Sequence, residues 1–451
     1  MKGWRKIWRR EQPYQLIEAP SPDEEDVPEH DVNAARKKQF SIVDYAIFLL
    51  LGIAMLWSWN MFLAAGPYFQ QRFRSNRWIF DNFQAAEMSV STVTNLSSML
   101  VLAKLQRGAS YPRRILLALG VYTAVFAFLA ASTSIDGRAK DYFGFVLVMI
   151  LFTSLATALC QNGIFAYVAG FGEPRYTQGI MTGQAIAGVL PCVAQIVSVL
   201  SVQGDDTGAG PDGENPGTPQ VRRGGALAYF STATGVAIIT SVAFVALLAR
   251  HRRPAVVEDA GAEDSSPESG PEKEIPLWTL WKKLSWLAAG VFLTFGITMV
   301  FPVYTQRIVS VWPPAELPPI MQPASFIPLA FLFWNVGDLL GRLLTAVPSL
   351  SLVHHPRLVF TLAVSRVAFL GLYHLCNIRG DGAVVHSDLF YLVVVQLLFG
   401  LTNGFVGSTC MIGAAEWVDE EEREAAGGFM GLCLVAGLAT GSLASFIAAG
   451  A

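Results

Sequence analysis

The feature that most constrains this chain is a series of long apolar blocks, each about as long as a membrane span. A helix needs ~20 mostly apolar residues to cross the ~30 Å hydrocarbon core of a bilayer. Hydrophobic residues make up 53% of the chain and charged residues 15%, whereas charged residues are about 25% of a soluble domain. The blocks run at about 42–66, 84–103, 114–133, 143–170, 179–202, 224–249, 284–305, 323–348, 357–377, 387–413 and 425–450. The pattern predicts an all-α polytopic membrane protein with eleven transmembrane helices.

The distribution of basic residues predicts the orientation. Most of the 32 Lys and Arg residues fall in the N-terminal tail and in alternate loops, beginning with 104–114. Loops rich in Lys and Arg stay in the cytoplasm, so the N-terminus is predicted to be cytoplasmic and, with eleven spans, the C-terminus lies on the opposite side. The polar start of the chain lacks the apolar core of a signal peptide, so the first span is expected to act as an uncleaved anchor.

Polar segments divide the chain. Residues 1–40 are predicted to be a disordered cytoplasmic tail and 251–283 a cytoplasmic linker, because their compositions cannot bury enough apolar surface to fold. The linker separates an N-terminal bundle of six spans, 41–250, from a C-terminal bundle of five, 284–451. Two bundles with a linker on one face are typical of transporters that rock two halves about a central site.

Several classes of function are excluded by what the sequence lacks. Its five cysteines fall inside apolar blocks and form no CxxC pair, so we expect neither a disulfide framework nor a metal site. No catalytic motif or cofactor-binding loop occurs, which predicts a protein that is not an enzyme and needs no cofactor. With a net charge of −3 and no basic patch among aromatics, we expect no nucleic-acid partner, and no obligate protein partner is evident.

Span eight carries charged residues within the hydrocarbon core of the membrane, where an exposed charge is costly. Asp338 and Arg342 are spaced i,i+4, so they share one helical face and can pair. Asn335 lies one turn earlier on the same stripe. Together they offer acceptors and a fork of donors suited to a solute that carries hydroxyl groups, such as a sugar ring. The alternative is an internal ion pair that only locks this helix to its neighbours.

Other polar residues lie in the spans. Gln161 in span four offers a donor and an acceptor to a base edge, although an amide there also serves as interhelical glue. Trp59 near the outer end of span one could form a stacking wall or an interfacial anchor. For Arg366 in span nine we favour a structural partner of a carboxylate or of helix-end carbonyls. Asp338 is the one strong candidate for protonation that we single out within a span, and Arg342 should hold it ionised.

Glycine and proline mark where helices approach or bend. Gly179/Gly183, Gly427/Gly431 and Gly437/Gly441 form GxxxG pairs, which are packing devices first. Pro302 lies within span seven, where it removes a backbone donor and can hinge the helix.

In combination, these motifs resemble the equilibrative nucleoside transporters, especially the fungal vacuolar-type branch, over nearly the whole membrane body. That family typically has eleven spans in a major-facilitator-like arrangement. The similarity is strongest at FWNVGDLLGR in span eight. WNMF, CQNGIFAYVAG, TGQAIAG, Phe301-Pro302, TNG and EAAG also match the family, in spans one, four, five, seven, ten and eleven respectively.

The resemblance implies roles residue by residue. Asp338 and Arg342 would contact the ribose, Gln161 the base, and Trp59 would line the same cavity, while Asn335 would hold the charged pair in place. Arg114 and Glu424 match a cytoplasmic charged pair that closes an inner gate, and we assign Phe301 and Pro302 to gating as well. Transport would be facilitative, by alternating access, with purine and pyrimidine nucleosides such as adenosine and uridine as substrates and nucleobases as a possible extension.

Two departures bear on selectivity and location. Ser58 stands where the family usually has proline, which alters the shape of span one. The first outer loop has no usable glycosylation site, and Tyr14-Gln15-Leu16-Ile17 has the form of an endosomal or vacuolar sorting signal. A vacuolar or endolysosomal membrane is therefore favoured over the plasma membrane. The competing hypotheses are a sugar or other polar-solute transporter of the major facilitator type and a receptor that does not transport.

Overall fold

The computed structural model describes residues 40–105, 109–135, 137–204, 223–251, 275–313 and 317–450. The predicted N-terminal tail with its Tyr14–Ile17 motif, residues 205–222 between spans five and six, and most of the 251–283 linker lie outside the described residues. Nearly all the described chain is helical, and Ile42–Ala451 groups as one contact unit. The predicted all-α class is confirmed, whereas the division into bundles of six and five spans stays a prediction.

The described residues form fourteen α-helices, numbered in chain order. They are α1 Ile42–Ala64, α2 Gly66–Phe73, α3 Arg77–Lys104, α4 Tyr111–Ser132, α5 Ala139–Ala169, α6 Pro174–Gly204, α7 Arg223–His251, α8 Leu277–Thr298, α9 Phe301–Thr305, α10 Pro323–Leu344, α11 Pro356–Ser365, α12 Ala368–Tyr373, α13 Leu398–Gly413 and α14 Arg423–Gly450. A π-helix, Phe390–Leu397, leads directly into α13.

Ten helical segments of the described chain are long and apolar enough to cross a membrane. The second predicted span coincides with α3, which has 28 residues but is more polar than the other spans and is not among the ten. The membrane-protein class is therefore confirmed, while the count of eleven and the predicted orientation stay predictions.

Two predicted spans are interrupted. Span seven begins at Leu277 and breaks before α9, where Pro302 occupies the first turn of the new helix. A proline is tolerated there because first-turn amides have no intrahelical partner. Span nine is divided into α11 and α12, with Arg366 ending the first of them.

Glycines allow the helices to pack backbone to backbone. A Cβ at Gly183 of α6 would collide with the Leu49 carbonyl oxygen of α1, and one at Gly341 of α10 with the Leu401 carbonyl oxygen of α13. Gly441 of α14 is pressed in the same way against Gly296 of α8. Small residues at such crossings bring backbones close together in lipid, as the GxxxG pairs predicted.

Helices from the two predicted bundles meet closely at one end. The α14 residue Gly427 lies against the Phe165 carbonyl oxygen of α5, and a Cβ at Gly170 would lie 2.7 Å from Glu424 Oε1. The α6 and α10 helices also pack together, and Arg342 of α10 reaches the Met181 carbonyl of α6. These contacts lie at the helix ends predicted to be cytoplasmic, so the described conformation is closed on that side.

Candidate functional site

The centre of the site is a buried ion pair on α10. Asp338 and Arg342 are 3% and 4% exposed, and Arg342 Nε donates to Asp338 Oδ2 at 2.8 Å. The i,i+4 spacing brings the two side chains together on one face. Truncating one partner of such a pair costs about 3–5 kcal/mol, because the other charge is left buried and unpaired.

Arg342 also connects α10 with α6. Its Nη1 donates to the Met181 carbonyl oxygen at 2.7 Å and to Gln184 Oε1 at 3.0 Å. Its Nη2 has no hydrogen-bond partner within the described part of the chain. The guanidinium is thus fixed by three oxygen acceptors and keeps one nitrogen that can donate to a bound solute.

A chain of hydrogen bonds positions the carboxylate of Asp338. Asn403 Nδ2 of α13 donates to Asp338 Oδ1 at 2.7 Å, and Thr298 Oγ1 of α8 donates to Asn403 Oδ1 at 2.6 Å. Arg366 Nη2 donates in turn to Thr298 Oγ1 at 3.0 Å. Each bond fixes the orientation of the next group, so Asp338 is held from two sides.

Arg366 supports this chain from a fully buried position. Its exposure is 0%. Its Nη1 donates to the Thr294 carbonyl oxygen at 2.5 Å, and its guanidinium carbon lies 4.7 Å from the centre of the Phe399 ring. These bonds match the favoured expectation of a structural partner of backbone carbonyls, and they give Arg366 a positioning role toward Asp338.

Asn335 lies apart from the ion pair. Its Nδ2 donates to the Phe331 carbonyl oxygen of its own helix at 2.8 Å and lies 3.5 Å from Cys192 Sγ. Its Oδ1 packs against Gly188 of α6. The amide bonded to Asp338 belongs instead to Asn403, which the TNG motif of span ten contains but to which the sequence assigned no role. Asn335 therefore makes no direct hydrogen bond to the ion pair in the described structure.

Gln161 of α5 is buried without a protein partner. Only 6% of the residue is exposed, yet among the described contacts its amide makes no hydrogen bond. Its amide atoms are not among the fully buried atoms that lack a partner, so they are accessible to water or to a polar ligand. Trp59 of α1 is half-buried. Neither residue contacts Asp338 or Arg342 directly.

The predicted gate residues Arg114 and Glu424 lie at the closed end. Arg114 Nη1 of α4 donates to Asn162 Oδ1 at 2.5 Å and Nη2 donates to the Leu105 carbonyl oxygen. Asn162 lies beside Gly428 of α14, while Glu424 packs against Gly170. Arg114 therefore connects with α14 through Asn162, and the gating role stays a prediction.

A second ion cluster lies at the same end. Lys283 Nζ donates to Asp419 Oδ2 at 2.7 Å and to Glu422 Oε2 at 2.6 Å. The hydrogen bond from Lys283 holds the pKa of Asp419 below its ordinary value. The cluster joins the start of α8 to the connection between α13 and α14.

Phe301 and Pro302 lie at the break between α8 and α9. The Phe301 ring stacks on Trp334 of α10 with 4.4 Å between ring centres and 16° between their planes. Rearrangement at the break would move the neighbour of Trp334, which lies one turn from Asp338. A change in the angle between α8 and α9 would therefore shift a ring that packs one turn from Asp338. The gating role of Phe301 and Pro302 stays a prediction.

Comparison with known proteins gives consistent matches. A family model described as "Nucleoside transporter" matches residues 147–253 and 249–449. "Nucleoside transporter FUN26" of Saccharomyces cerevisiae is 30% identical over 449 residues, covering 91% of this chain and 85% of that protein. "Equilibrative nucleoside transporter 1" of Mus musculus is 28% identical over 473 residues, covering 89% and 96%.

Solved structures agree on the fold. The major facilitator superfamily transporter FucP, in its outward conformation, has a TM-score of 0.53 at 14% identity, covering 90% of this chain and 94% of that one. The proton:xylose symporter XylE has a TM-score of 0.56 at 9% identity, covering 89% and 86%. At these identities the likeness shows the fold alone, which confirms the expected major-facilitator-like arrangement. From the family model and the matched relatives, the chain belongs to the nucleoside transporter family.

Proposed function

We propose that this protein carries purine and pyrimidine nucleosides across a membrane by alternating access, with nucleobases as a further class to test. The observation that carries the proposal is the pairing of Asp338 with Arg342 inside the membrane body, with Arg342 Nη2 left to donate. A charge within a span is costly and marks a pathway for a polar solute.

The chemistry of the pair suits a ribose ring. Its two neighbouring hydroxyl groups can each donate to a carboxylate and accept from a guanidinium. Asp338 has both carboxylate oxygens occupied by one donor each, and an oxygen of this kind can accept a second. Asp338 and Arg342 are thus the proposed ribose contacts, with Asn335 nearby.

Gln161 and Trp59 are the proposed base contacts. The unpartnered amide of Gln161 offers a donor and an acceptor, so it can pair with the edge of a purine or a pyrimidine without choosing strictly between them. The half-buried indole of Trp59 provides an apolar face on which a base can stack.

Facilitative transport is supported by the environment of Asp338. The carboxylate already accepts hydrogen bonds from Arg342 and Asn403, so its buried position is balanced by a positive charge and an amide donor within the protein. We therefore propose that Asp338 does not couple nucleoside movement to a proton gradient. We also propose that the protein is a transporter without enzymatic activity and works without an obligate protein partner.

The proposed location is a vacuolar or endolysosomal membrane. Support comes from the sorting-type motif in the N-terminal tail and from the lack of a usable glycosylation site in the first outer loop.

Counterflow in proteoliposomes tests the proposed function. Vesicles loaded with unlabelled uridine should accumulate radiolabelled uridine or adenosine, and excess adenosine outside should block this uptake more strongly than ribose or glucose does. Stronger competition by the free sugars would favour the sugar-transporter hypothesis. Nucleoside binding without any flux would favour a receptor.

A further inference from the structure

Besides Asp338, the buried carboxyl groups include Asp44 and Asp388, which bond to His251 and Ser310. Glu87 of α3 is a further buried carboxyl group, which the proposed function does not use. It is 4% exposed and lies well inside a helix that starts at Arg77 and ends at Lys104. The predicted second span includes it, but the sequence analysis did not single it out because the polar residues of that span follow no motif. Asp338 is therefore not the only buried carboxyl group of the membrane body.

The carboxyl group of Glu87 has no partner. Its Oε1 is fully buried without a hydrogen bond, and no ion pair or hydrogen bond joins the side chain to any described residue. Nearly all buried polar atoms have a partner in native proteins, and those that lack one call for an explanation. Asp338, in contrast, is bonded to both Arg342 and Asn403.

Glu87 belongs to a polar stripe on α3. Ser91 and Asn95 follow at intervals of four residues, so they lie along one side of the helix. Ser154 of α5 donates to Ser91 Oγ at 3.0 Å, and the Oδ1 of Asn95 is also buried without a partner. One turn further, Met99 packs beside Gly431 of α14. The stripe thus runs from the α5 side of α3 toward α14, where the two predicted bundles meet.

The charged groups on the neighbouring elements are engaged elsewhere or lie near the helix ends. Arg72 of α2 donates to Tyr68 and to the carbonyls of Ser132 and Ile135, and lies 3.7 Å from the Tyr142 ring centre. None of the titratable groups on the three helices packed against α3 forms a described hydrogen bond or ion pair with Glu87. These groups are Tyr68 and Arg72 on α2; Lys140, Asp141, Tyr142, Cys160 and Tyr167 on α5; and Arg423, Glu424 and Cys433 on α14.

An ionised carboxylate in this position would be costly. No counter-charge reaches it, and burying an isolated charge costs far more than burying a neutral, protonated acid. Within membrane spans, unpaired Asp and Glu residues mark proton pathways or ion sites. A proton removes the charge and needs no other ligand, so it fits this carboxyl group better than a metal ion, which would need several oxygen ligands.

We propose that Glu87 is a proton-binding site that sets how fast the carrier works. A proton binds to the carboxylate when α3 is enclosed by α5 and α14, and it leaves to water when the two bundles separate at that depth. Nucleoside flux is fast when Glu87 is protonated and falls as pH rises, because the ionised side chain resists enclosure.

The position of Glu87 makes the proton a regulator of flux. Glu87 lies nearer the Arg77 end of α3, the predicted outer end, than the Lys104 end. A proton that enters and leaves through the same end crosses no membrane, so flux depends on pH without being driven by a pH gradient. The inference rests on the proposed nucleoside transport for its flux measurement only.

The first experiment measures uridine counterflow with equal pH on both sides of the vesicle, from about pH 5 to about pH 9, a range in which buried carboxyl groups titrate. Wild-type flux should fall at high pH by up to about tenfold per pH unit, as the protonated fraction of a single carboxyl group does. Glu87→Gln mimics the neutral acid and should keep the flux and lose the pH dependence. Asp81→Asn is the matched control, because Asp81 is an exposed carboxylate on the same helix, paired only with Arg77 at 3.8 Å; its pH profile should follow the wild type.

The second experiment needs neither transport nor a variant. A lipid-soluble carbodiimide, which adds to protonated carboxyl groups in apolar surroundings, is applied to the wild-type protein over the same pH range. Mass spectrometry of the peptide that holds Glu87 should find the adduct at low pH and less of it at high pH. If Glu87→Gln fails to fold, this labelling still tests whether Glu87 binds a proton.

Four results would overturn the inference: wild-type flux that is flat with pH, a folded Glu87→Gln variant that keeps the wild-type pH profile, a folded Glu87→Gln variant that is inactive at every pH, or no adduct at Glu87 at any pH. If wild-type protein carries no uridine at all, the proposed function fails, and the carbodiimide labelling still tests the proton site by itself.

Discussion

The side chain of Gln161 is nearly buried, and its amide has no hydrogen-bond partner among the described residues. Gln184, only one helix away in sequence, is equally buried but accepts a hydrogen bond from Arg342. The two residues therefore serve different purposes. Gln184 links α6 to α10 through Arg342, whereas Gln161 is the proposed contact for a base.

A substitution at Gln161 should separate binding from stability. We expect Gln161→Ala to raise the KM for uridine between about twofold and twelvefold, the worth of one hydrogen bond of roughly 0.5–1.5 kcal/mol. The melting temperature should fall less than in Gln184→Ala, because no hydrogen bond within the described protein is lost along with the packing. Gln184→Ala serves as the comparison and should lower both the melting temperature and the flux. A Gln161→Ala protein with a wild-type KM would remove Gln161 from the site.

Contacts between residues close in sequence could be predicted, whereas contacts between residues on different helices could not. Asp338 and Arg342 lie one turn apart, so helical geometry alone predicts that they pair. Asn403 and Thr298 come from other helices, and no spacing rule brings them to Asp338. Glu87 was missed as well, because the burial of a helical residue depends on which neighbours cover it, and spacing along the sequence does not show them.

At the scale of the helices, packing depends on a few positions where a side chain cannot fit. The α1–α6 pair shows this at Gly183, which faces the Leu49 carbonyl oxygen. The GxxxG pairs predicted such crossings, but the sequence could not say which helix each glycine faces. The helix breaks near Pro302 and Arg366 were also beyond prediction from hydropathy, which reports apolar length and not backbone continuity.

A pair of alanine substitutions tests this packing. We expect Gly183→Ala to lower stability by about 1–3 kcal/mol, because its Cβ meets backbone that cannot rotate away. Gly120→Ala on α4 is the matched control, since nothing lies within 4 Å of a Cβ there; alanine at this site should be neutral or slightly stabilising, as it lowers the entropy of the unfolded chain. Thermal melting in detergent measures both. Equal melting temperatures would contradict the close α1–α6 approach.

At the scale of the whole molecule, alternating access requires the closed end to open. That end is held by the packing of α14 on α5 and by the bond from Arg342 to α6. Surfaces that separate in every cycle must pack closely without strong bonds between them. A glycine against a backbone carbonyl allows close packing and forms no hydrogen bond or ion pair through its side chain.

Gly427 offers a test of this closure. We expect Gly427→Ala to hold α14 away from the Phe165 carbonyl oxygen, so that closure on this side weakens and uridine flux falls several-fold while uridine binding is kept. Gly431→Ala is the control, because a Cβ there meets only the flexible Met99 terminus and the Phe165 ring at 3.4–3.5 Å. Flux by Gly427→Ala equal to that of the control would show that this contact does not govern the cycle.

Asp338 and Arg342 are the proposed ribose contacts of a transported nucleoside, and uridine counterflow in proteoliposomes tests this directly. Wild type and Asp338→Asn are compared, each first shown to be monodisperse and folded. We expect strong accumulation by the wild type and almost none by Asp338→Asn, because the variant keeps the shape of the side chain and removes the charge that holds the ribose and Arg342. Equal accumulation by the two proteins would show that Asp338 does not bind the ribose.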